Sequence, residues 1–160
     1  MRLAPVALIV SCLLAGAAQA GSVVVSFSGT PRFSDAGNTP WEEQANRLAI
    51  AQYIESLGQR YLPAQQTLKL EVVDIDLAGE MRFLRRAGFR ELRVLKGGAD
   101  FPRVTVRYSL ESGGQVLRSG DETISDMDYT HHAAQPRADD PLHVEKRMLA
   151  EWFRTRFAKE

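Results

Sequence analysis

The 160-residue sequence predicts an α+β domain, in which a mostly antiparallel sheet of four or five strands carries two helices on one face. Two segments, near residues 50 and 150, have apolar residues at the spacing of an amphipathic helix. Other segments alternate apolar and polar residues, which is typical of strands. The resulting order is β-α-β-(β)-β-β-α. It is satisfied most simply when both helices cover the same face of the sheet.

The first two elements have clear start signals. The β-branched run at residues 23–27 indicates a buried strand. After a turn-rich loop, Thr39 can cap a helix and Glu42 lies where a capping box requires it. Apolar residues then recur on one face of this helix, which we expect to end at Gly58 or Pro63.

Apolar side chains change parity within the next predicted strand, residues 67–77. They occupy even positions up to Val72 and odd positions from Val73 onward. Because side chains alternate between the two faces of a strand, the change predicts a β-bulge near Val72–Val73 or burial of both faces. With a bulge, Asp74 and Asp76 point away from the core.

The remaining elements follow from alternation and turn residues. Residues 92–95 suggest a short strand within a segment that has no clear pattern. Residues 101–112 alternate, Gly113-Gly114 predicts a hairpin turn, and residues 115–124 return as the partner strand. The last helix starts at Asp140-Pro141. Its apolar stripe consists of Leu142, Met148, Leu149, Trp152 and Phe153.

The first twenty residues have the pattern of a secretory signal peptide. Arg2 precedes an apolar run, and Ala18-Gln19-Ala20 suits cleavage before Gly21. We therefore expect a single domain over residues 21–160, located in the periplasm or secreted. A lipoprotein acylated at Cys12 is the alternative. The run is too short for a membrane anchor, which needs about 20 apolar residues.

Charge and cysteine content narrow the possible partners. The chain has 20 basic and 20 acidic residues, so its net charge does not favour nucleic-acid binding. Cys12 is the only cysteine, so residues 21–160 have no disulfide and depend on a packed core. The oligomeric state stays open.

A basic segment predicts a contact surface for an acidic protein partner or an anionic envelope component. The alternative is a solvated loop whose arginines pair with acids elsewhere. The six basic residues fall within fifteen positions: Arg82, Arg85, Arg86, Arg90, Arg93 and Lys96.

Two pairs of aspartates are candidates for a metal site. Asp74 and Asp76 share a spacing of two residues with Asp126 and Asp128, and the four carboxylates could bind a divalent cation if the fold brought them together. That site, with His131, would suit a metal-dependent hydrolase. The alternative is that these aspartates serve turns and solvation.

No sequence motif predicts a catalytic residue or a cofactor. A Gly-x-Ser-x-Gly elbow is absent, and so are the usual zinc-ligand spacings. We therefore expect a non-enzymatic binding or accessory domain more than an enzyme.

Glu145 lies on the apolar stripe of the last helix, between Leu142 and Leu149. A buried carboxylate needs a partner or a raised pKa. We expect Arg103 or Arg107, from a neighbouring strand, to provide a bidentate pair.

Several motifs together resemble DUF3016, a family of exported Gram-negative bacterial proteins without an assigned function. The resemblance implies a small envelope domain with no established activity and no catalytic residues to transfer. The motif positions include Asp74, Asp76, Arg103 and Glu145, which suggests a shared internal polar network. The motifs are Val25-Ser26-Phe27, Asp74-Ile75-Asp76-Leu77-Ala78-Gly79, Arg93-Val94, Pro102-Arg103-Val104, Tyr108-Ser109-Leu110, Asp126-Met127-Asp128-Tyr129, Glu145-Lys146-Arg147-Met148-Leu149 and Trp152-Phe153.

Overall fold

The computed structural model describes residues 20–28, 33–84, 90–132 and 140–158. Most of the predicted signal peptide, including Cys12, lies outside these residues. Six strands and three helices occur within them. In chain order they are β1 (Ser22–Phe27), α1 (Pro40–Tyr61), β2 (Gln66–Asp76), β3 (Glu80–Leu84), β4 (Arg90–Val94), β5 (Arg103–Ser112), β6 (Gln115–Ser125), α2 (Tyr129–His132) and α3 (His143–Phe157).

The main sheet has the strand order β1-β2-β5-β6. β1 runs parallel to β2, and the other neighbours are antiparallel. A parallel pair needs a crossover connection, which α1 provides. Both α1 and α3 contribute to the same apolar core as the inward side chains of the sheet. The α+β prediction, with two helices on one face of a mostly antiparallel sheet, is confirmed.

The capping prediction for α1 is also confirmed. The Thr39 hydroxyl accepts a hydrogen bond from the Glu42 N–H at 3.2 Å, and the Glu42 carboxylate accepts one from the Asn38 N–H at 2.9 Å. These contacts satisfy N–H groups that lack a partner within the helix.

β2 contains the predicted bulge. Val72 lies opposite Val106, and the next registered pair is Asp74 with Thr105, so Val73 is the extra residue. The bulge returns Ile75 to the buried face, where it is fully buried opposite Val104. Asp74 and Asp76 then lie on the outer face of the sheet, opposite the face that α1 and α3 cover.

Between β2 and β5 the structure differs from the prediction. Instead of one short strand at residues 92–95, β3 and β4 pair with each other as a separate two-stranded sheet. Neither strand joins the main sheet, because β5 already occupies the free edge of β2. Charged residues interrupt the apolar pattern of residues 80–94, so the sequence does not predict this hairpin.

An aromatic cluster joins α3 to β5. The rings of Tyr108, Trp152 and Phe157 meet edge to face, with centroids 5.3–6.1 Å apart. Phe153 is fully buried beside them. Among the described residues, no helix combines the length and the apolar character needed to cross a membrane.

Two residues of α1 should differ in how much they contribute to the free energy of unfolding. Ile54 is fully buried, whereas Leu48 is 57% exposed. We expect Ile54→Ala to lower the free energy of unfolding by about 2–5 kcal/mol, because it leaves a cavity. Leu48→Ala should change it by less than about 0.5 kcal/mol. Urea denaturation followed by circular dichroism measures both values, and equal losses would contradict the assigned facing of α1.

Candidate functional site

The carboxyl end of β2 leads into a buried cluster of polar groups, formed by Asp35, Ala78, Gly79, Arg93 and Glu145 and called here the polar junction. Glu145 is only 2% exposed. Its Oε1 accepts a hydrogen bond from the Ala78 N–H at 2.9 Å, and its Oε2 has no partner among the described residues. Burial raises the pKa of the Glu145 carboxyl, although hydrogen bonds from two backbone N–H groups and the charge of Arg93 act in the opposite direction.

Arg93 holds the other side of the polar junction. Its two terminal nitrogens donate to the Asp35 carboxylate at 2.8 and 3.2 Å. Nη1 also donates to the Gly79 carbonyl oxygen at 2.8 Å and to that of Ala78 at 3.3 Å. The Arg93 side chain is 14% exposed. Such a bidentate pair, formed away from water, fixes orientation as well as charge.

Asp35 also binds β2 through its backbone. Its N–H donates to the Ile75 carbonyl oxygen at 2.8 Å, and its carbonyl oxygen accepts from the Leu77 N–H at 3.0 Å. The polar junction therefore joins the loop before α1, the end of β2, the strand β4 and the first turn of α3.

The prediction that Arg103 or Arg107 pairs with Glu145 is wrong. Arg103 binds Asp76 and stacks over Phe101, with 4.9 Å from the guanidinium carbon to the ring centroid. Arg107 binds Glu71 and Asp121, each at 2.9 Å. Neither arginine reaches Glu145, because odd positions of β5 face outward and even positions face the core. The backbone of Ala78 and the charge of Arg93 take their place.

The two aspartate pairs do not converge. Asp74 accepts hydrogen bonds from the Ser34 N–H and hydroxyl at 2.8 and 2.7 Å, on the outer face of the sheet. Asp126 lies on the helix side, where it binds His132 at 3.3 Å and Arg147 of α3 at 3.4 Å. Asp128 and His131 are exposed.

The predicted metal site therefore lacks its geometric basis. Over the described ranges, no group of three or more His, Cys, Asp and Glu side chains is placed to hold a metal ion. The bulge in β2 is the physical reason, since it directs Asp74 and Asp76 to the outer face.

The basic segment has two kinds of residue. Arg93 points inward and belongs to the polar junction. Arg82 and Lys96 both bind Glu80, and Lys96 is the main reason that the pKa of the Glu80 carboxyl is lowered. Arg85, Arg86 and the side chain of Arg90 lie outside the described residues.

The β3–β4 hairpin is attached to the rest of the molecule at its base. Besides the contacts of Arg93, the Gly79 N–H donates to the Asp100 carboxylate at 3.0 Å, just before β3 begins. Beyond this base, β3 and β4 make their regular backbone pairs with each other. The hairpin is therefore an arm whose orientation is set by the polar junction.

A cleft of about 420 Å³ lies between α2 and α3. Its charged side chains neutralise one another, because Lys146 binds Asp140 at 2.9 Å and Arg147 binds Asp126. The Nδ1 atom of His143 lies 3.1 Å from the Asp140 carbonyl oxygen. The mutual pairing leaves this cleft without an excess of either charge.

Nothing in the sequence marks Asp35 or Asp100 as site residues. Both lie in loops rich in turn-forming residues, where an aspartate has no distinctive pattern. The assignment of Arg93 to a contact surface is also corrected. Its place in the Arg93-Val94 motif was the available signal for a structural role.

Comparisons with known proteins give a family and one similar structure. A family model described as "Protein of unknown function (DUF3016)" matches residues 21–155. No functionally curated protein shows a significant match. The chain is similar to a crystal structure of a "putative lipoprotein" from Caulobacter crescentus CB15, with 16% sequence identity and a TM-score of 0.36. The similarity covers 84% of this chain and 82% of that chain.

The raised pKa of Glu145 predicts a pH-dependent stability. Its carboxyl binds a proton more tightly in the folded protein than in the unfolded chain, where the pKa is about 4.3. The stability from this group is therefore complete below that pH and lost as the pH rises through the folded pKa. Glu145→Gln cannot ionise, so it should become progressively more stable relative to the native protein as the pH rises from the unfolded pKa through the folded one.

Urea denaturation at several pH values measures this difference. Glu151→Gln, on the same helix, is the matched control. The Glu151 side chain is exposed and its pKa is lowered by Arg154, so this variant should not gain relative stability with rising pH. A difference between Glu145→Gln and the native protein that is constant with pH would contradict a raised pKa.

The ion pair of the polar junction predicts a measurable coupling. We expect Arg93→Met to lower the free energy of unfolding by about 2–3 kcal/mol, because the Asp35 carboxylate and two carbonyl groups lose a charged donor. A double-mutant cycle with Asp35→Asn should give a coupling of about 1–2 kcal/mol. The Arg82 side chain is 53% exposed, so Arg82→Met should lower the free energy of unfolding by less than about 0.5 kcal/mol. Additive effects of the Arg93 and Asp35 variants would argue against the pair.

Proposed function

The chain belongs to the DUF3016 family, whose function is unknown, and we propose that it is an exported cell-envelope domain that binds an anionic partner through the β3–β4 hairpin. The observation that carries the proposal is the separation of this hairpin from the main sheet. A two-stranded hairpin is marginally stable by itself. The polar junction supplies the missing support at its base.

Charge distinguishes the hairpin from the rest of the chain. Residues 80–96 contain six basic and two acidic residues, whereas the whole chain is neutral; without Arg93, which pairs with Asp35, five basic and two acidic residues leave a formal charge of +3. Glu80 offsets only part of the charge at the base, since Arg82 and Lys96 share its single carboxylate. A local excess of positive charge attracts anionic surfaces and acidic proteins.

The outer face of the main sheet lacks such an excess. There, Arg107 lies between Glu71 and Asp121, Lys69 binds Glu111 at 2.9 Å, and Arg103 binds Asp76. Because each of these cations already has a carboxylate partner, this face would gain little from an added anion. This comparison favours the hairpin over the sheet as the contact surface.

Export is the second part of the proposal, and it rests on the signal-peptide pattern of residues 1–20. The core suits either compartment, because residues 20–28 and 33–158, where described, bury their apolar side chains without any cysteine. Such a domain needs no disulfide in an oxidising compartment.

The hairpin predicts a loss of anion binding on mutation. The native protein should bind vesicles of phosphatidylglycerol, or an acidic polypeptide such as polyaspartate, more strongly than vesicles of phosphatidylcholine. The variant Arg85→Ala/Arg86→Ala/Arg90→Ala should bind about 100-fold more weakly, because each basic residue near an anionic surface contributes about 1 kcal/mol. Binding should also weaken with added salt.

The control removes the same charge from the main body, with Arg60→Ala, Lys69→Ala and Arg154→Ala. It should keep most of the affinity. Equal losses in the two triple variants, or no binding of the native protein to either anionic probe, would refute the hairpin as the contact surface. Flotation of vesicles and a polyaspartate titration distinguish lipid from acidic polypeptide as the partner.

The signal-peptide pattern of residues 1–20 predicts the residue at which the cleaved chain begins. When the chain is produced in a Gram-negative host, we expect it in the periplasmic or secreted fraction, with Gly21 as its first residue. N-terminal sequencing and mass spectrometry measure this. A chain that starts at an acylated Cys12 would overturn soluble export, and Cys12→Ser would then abolish its membrane attachment.

A further inference from the structure

We propose that two copies of this chain associate through β6, which joins the two main sheets into one continuous antiparallel sheet. β6 is an edge strand of eleven residues, paired with β5 on one side. Among the described residues, no element pairs with its other side. The free backbone groups of a long edge strand are a template for pairing with another chain.

β6 has two of the features that protect an edge strand, a bulge at Leu117 and the inward-facing carboxylate of Glu122, but residues 118–125 pair regularly with β5 and leave a free backbone edge. It has no proline, and its first five residues are exposed. Two of them are large apolar side chains, Val116 at 59% and Leu117 at 53% exposure. Natural sheets commonly blunt a free edge with proline, short length or inward-pointing charges. Exposed apolar residues on a long edge therefore favour a covering partner.

The sequence of β6 is complementary to itself in one antiparallel register. When Gly120 lies opposite Gly120 of the second copy, Arg118 lies opposite Glu122 and Ser119 lies opposite Asp121. A shift centred on Asp121 would place two aspartates opposite each other, which is unfavourable. A shift centred on Ser119 would remove the opposite-charge pair. Of these three registers, charge favours the one centred on Gly120, and symmetry forms each contact twice.

In this register, Glu122 and Arg118 have atoms that can form the new hydrogen bonds. Glu122 Oε1 accepts one hydrogen bond, from the Tyr108 hydroxyl at 3.0 Å, while Oε2 binds Trp152 and Arg156. Arg118 uses Nη1 for the Arg156 carbonyl oxygen. Its Nε and Nη2 atoms have no hydrogen-bond partner among the described residues and can donate to Glu122 of the second copy.

A bulge limits the regular part of this pairing. Leu117 is the extra residue of β6, so Val116 lies opposite Glu111 on the outer face of the sheet, and residues 115–117 do not continue the alternation of residues 118–125. The symmetric contact therefore centres on residues 118–122 of each copy.

Sedimentation equilibrium over a range of protein concentrations tests the proposal. The native protein should dimerise reversibly. Ser119→Asp places like charges opposite Asp121 at two symmetric positions, and should weaken the dimer about tenfold. Ser119→Lys places opposite charges there, and should strengthen the dimer by a similar factor. Ser119 is exposed, so both variants should fold, as circular dichroism can verify.

The matched control is Ser22→Asp on β1, the opposite edge of the sheet, which should leave the dimer constant unchanged. A protein that stays monomeric at every concentration would overturn the proposal. So would a dimer that responds to Ser22→Asp but not to the two Ser119 variants, because it would associate through β1.

Discussion

Two ionisable side chains, Arg93 and Glu145, hold the carboxyl end of β2 from different directions. The guanidinium of Arg93 donates hydrogen bonds to the Asp35 carboxylate and to the carbonyl groups of Ala78 and Gly79. The Glu145 carboxyl accepts a hydrogen bond from the Ala78 N–H. Water reaches little of either side chain, so removal of one partner would leave a polar group buried and unpaired. This constraint fixes how the loop before α1, the strand β4 and the helix α3 meet the main sheet.

The polar junction also explains how charge is distributed over the surface. It uses one arginine of the basic segment internally and anchors the hairpin that carries the others. On the main sheet, by contrast, cross-strand pairs such as Arg107 with Glu71 and Asp121 neutralise the outer face. We therefore place the two proposed contacts at the hairpin and at the β6 edge. The first is electrostatic, and the second combines backbone groups with complementary charges.

Local patterns predicted much of the fold. The capping box of Thr39 and Glu42, the parity change at Val72–Val73 and the Gly113-Gly114 turn each rest on interactions within a few residues, and the structure contains all three features. The β3–β4 hairpin was harder to predict, because its apolar residues are interrupted by charge. The site was predicted less well. Glu145 was recognised as buried, but Arg103 and Arg107 were wrong as its partners, since they face the opposite side of the sheet.

The sequence by itself determined the α+β class, the start of α1, the bulge and the burial of Glu145, because periodicity and capping act over short distances along the chain. The tertiary structure alone decided which charges meet. Asp35 and Arg93 are 58 residues apart, and Ala78 and Glu145 are 67 apart. Long-range pairing depends on strand register and on which face each side chain occupies, and a one-residue bulge in β2 reverses that face. For this reason, the aspartates that looked like metal ligands lie on opposite sides of the sheet.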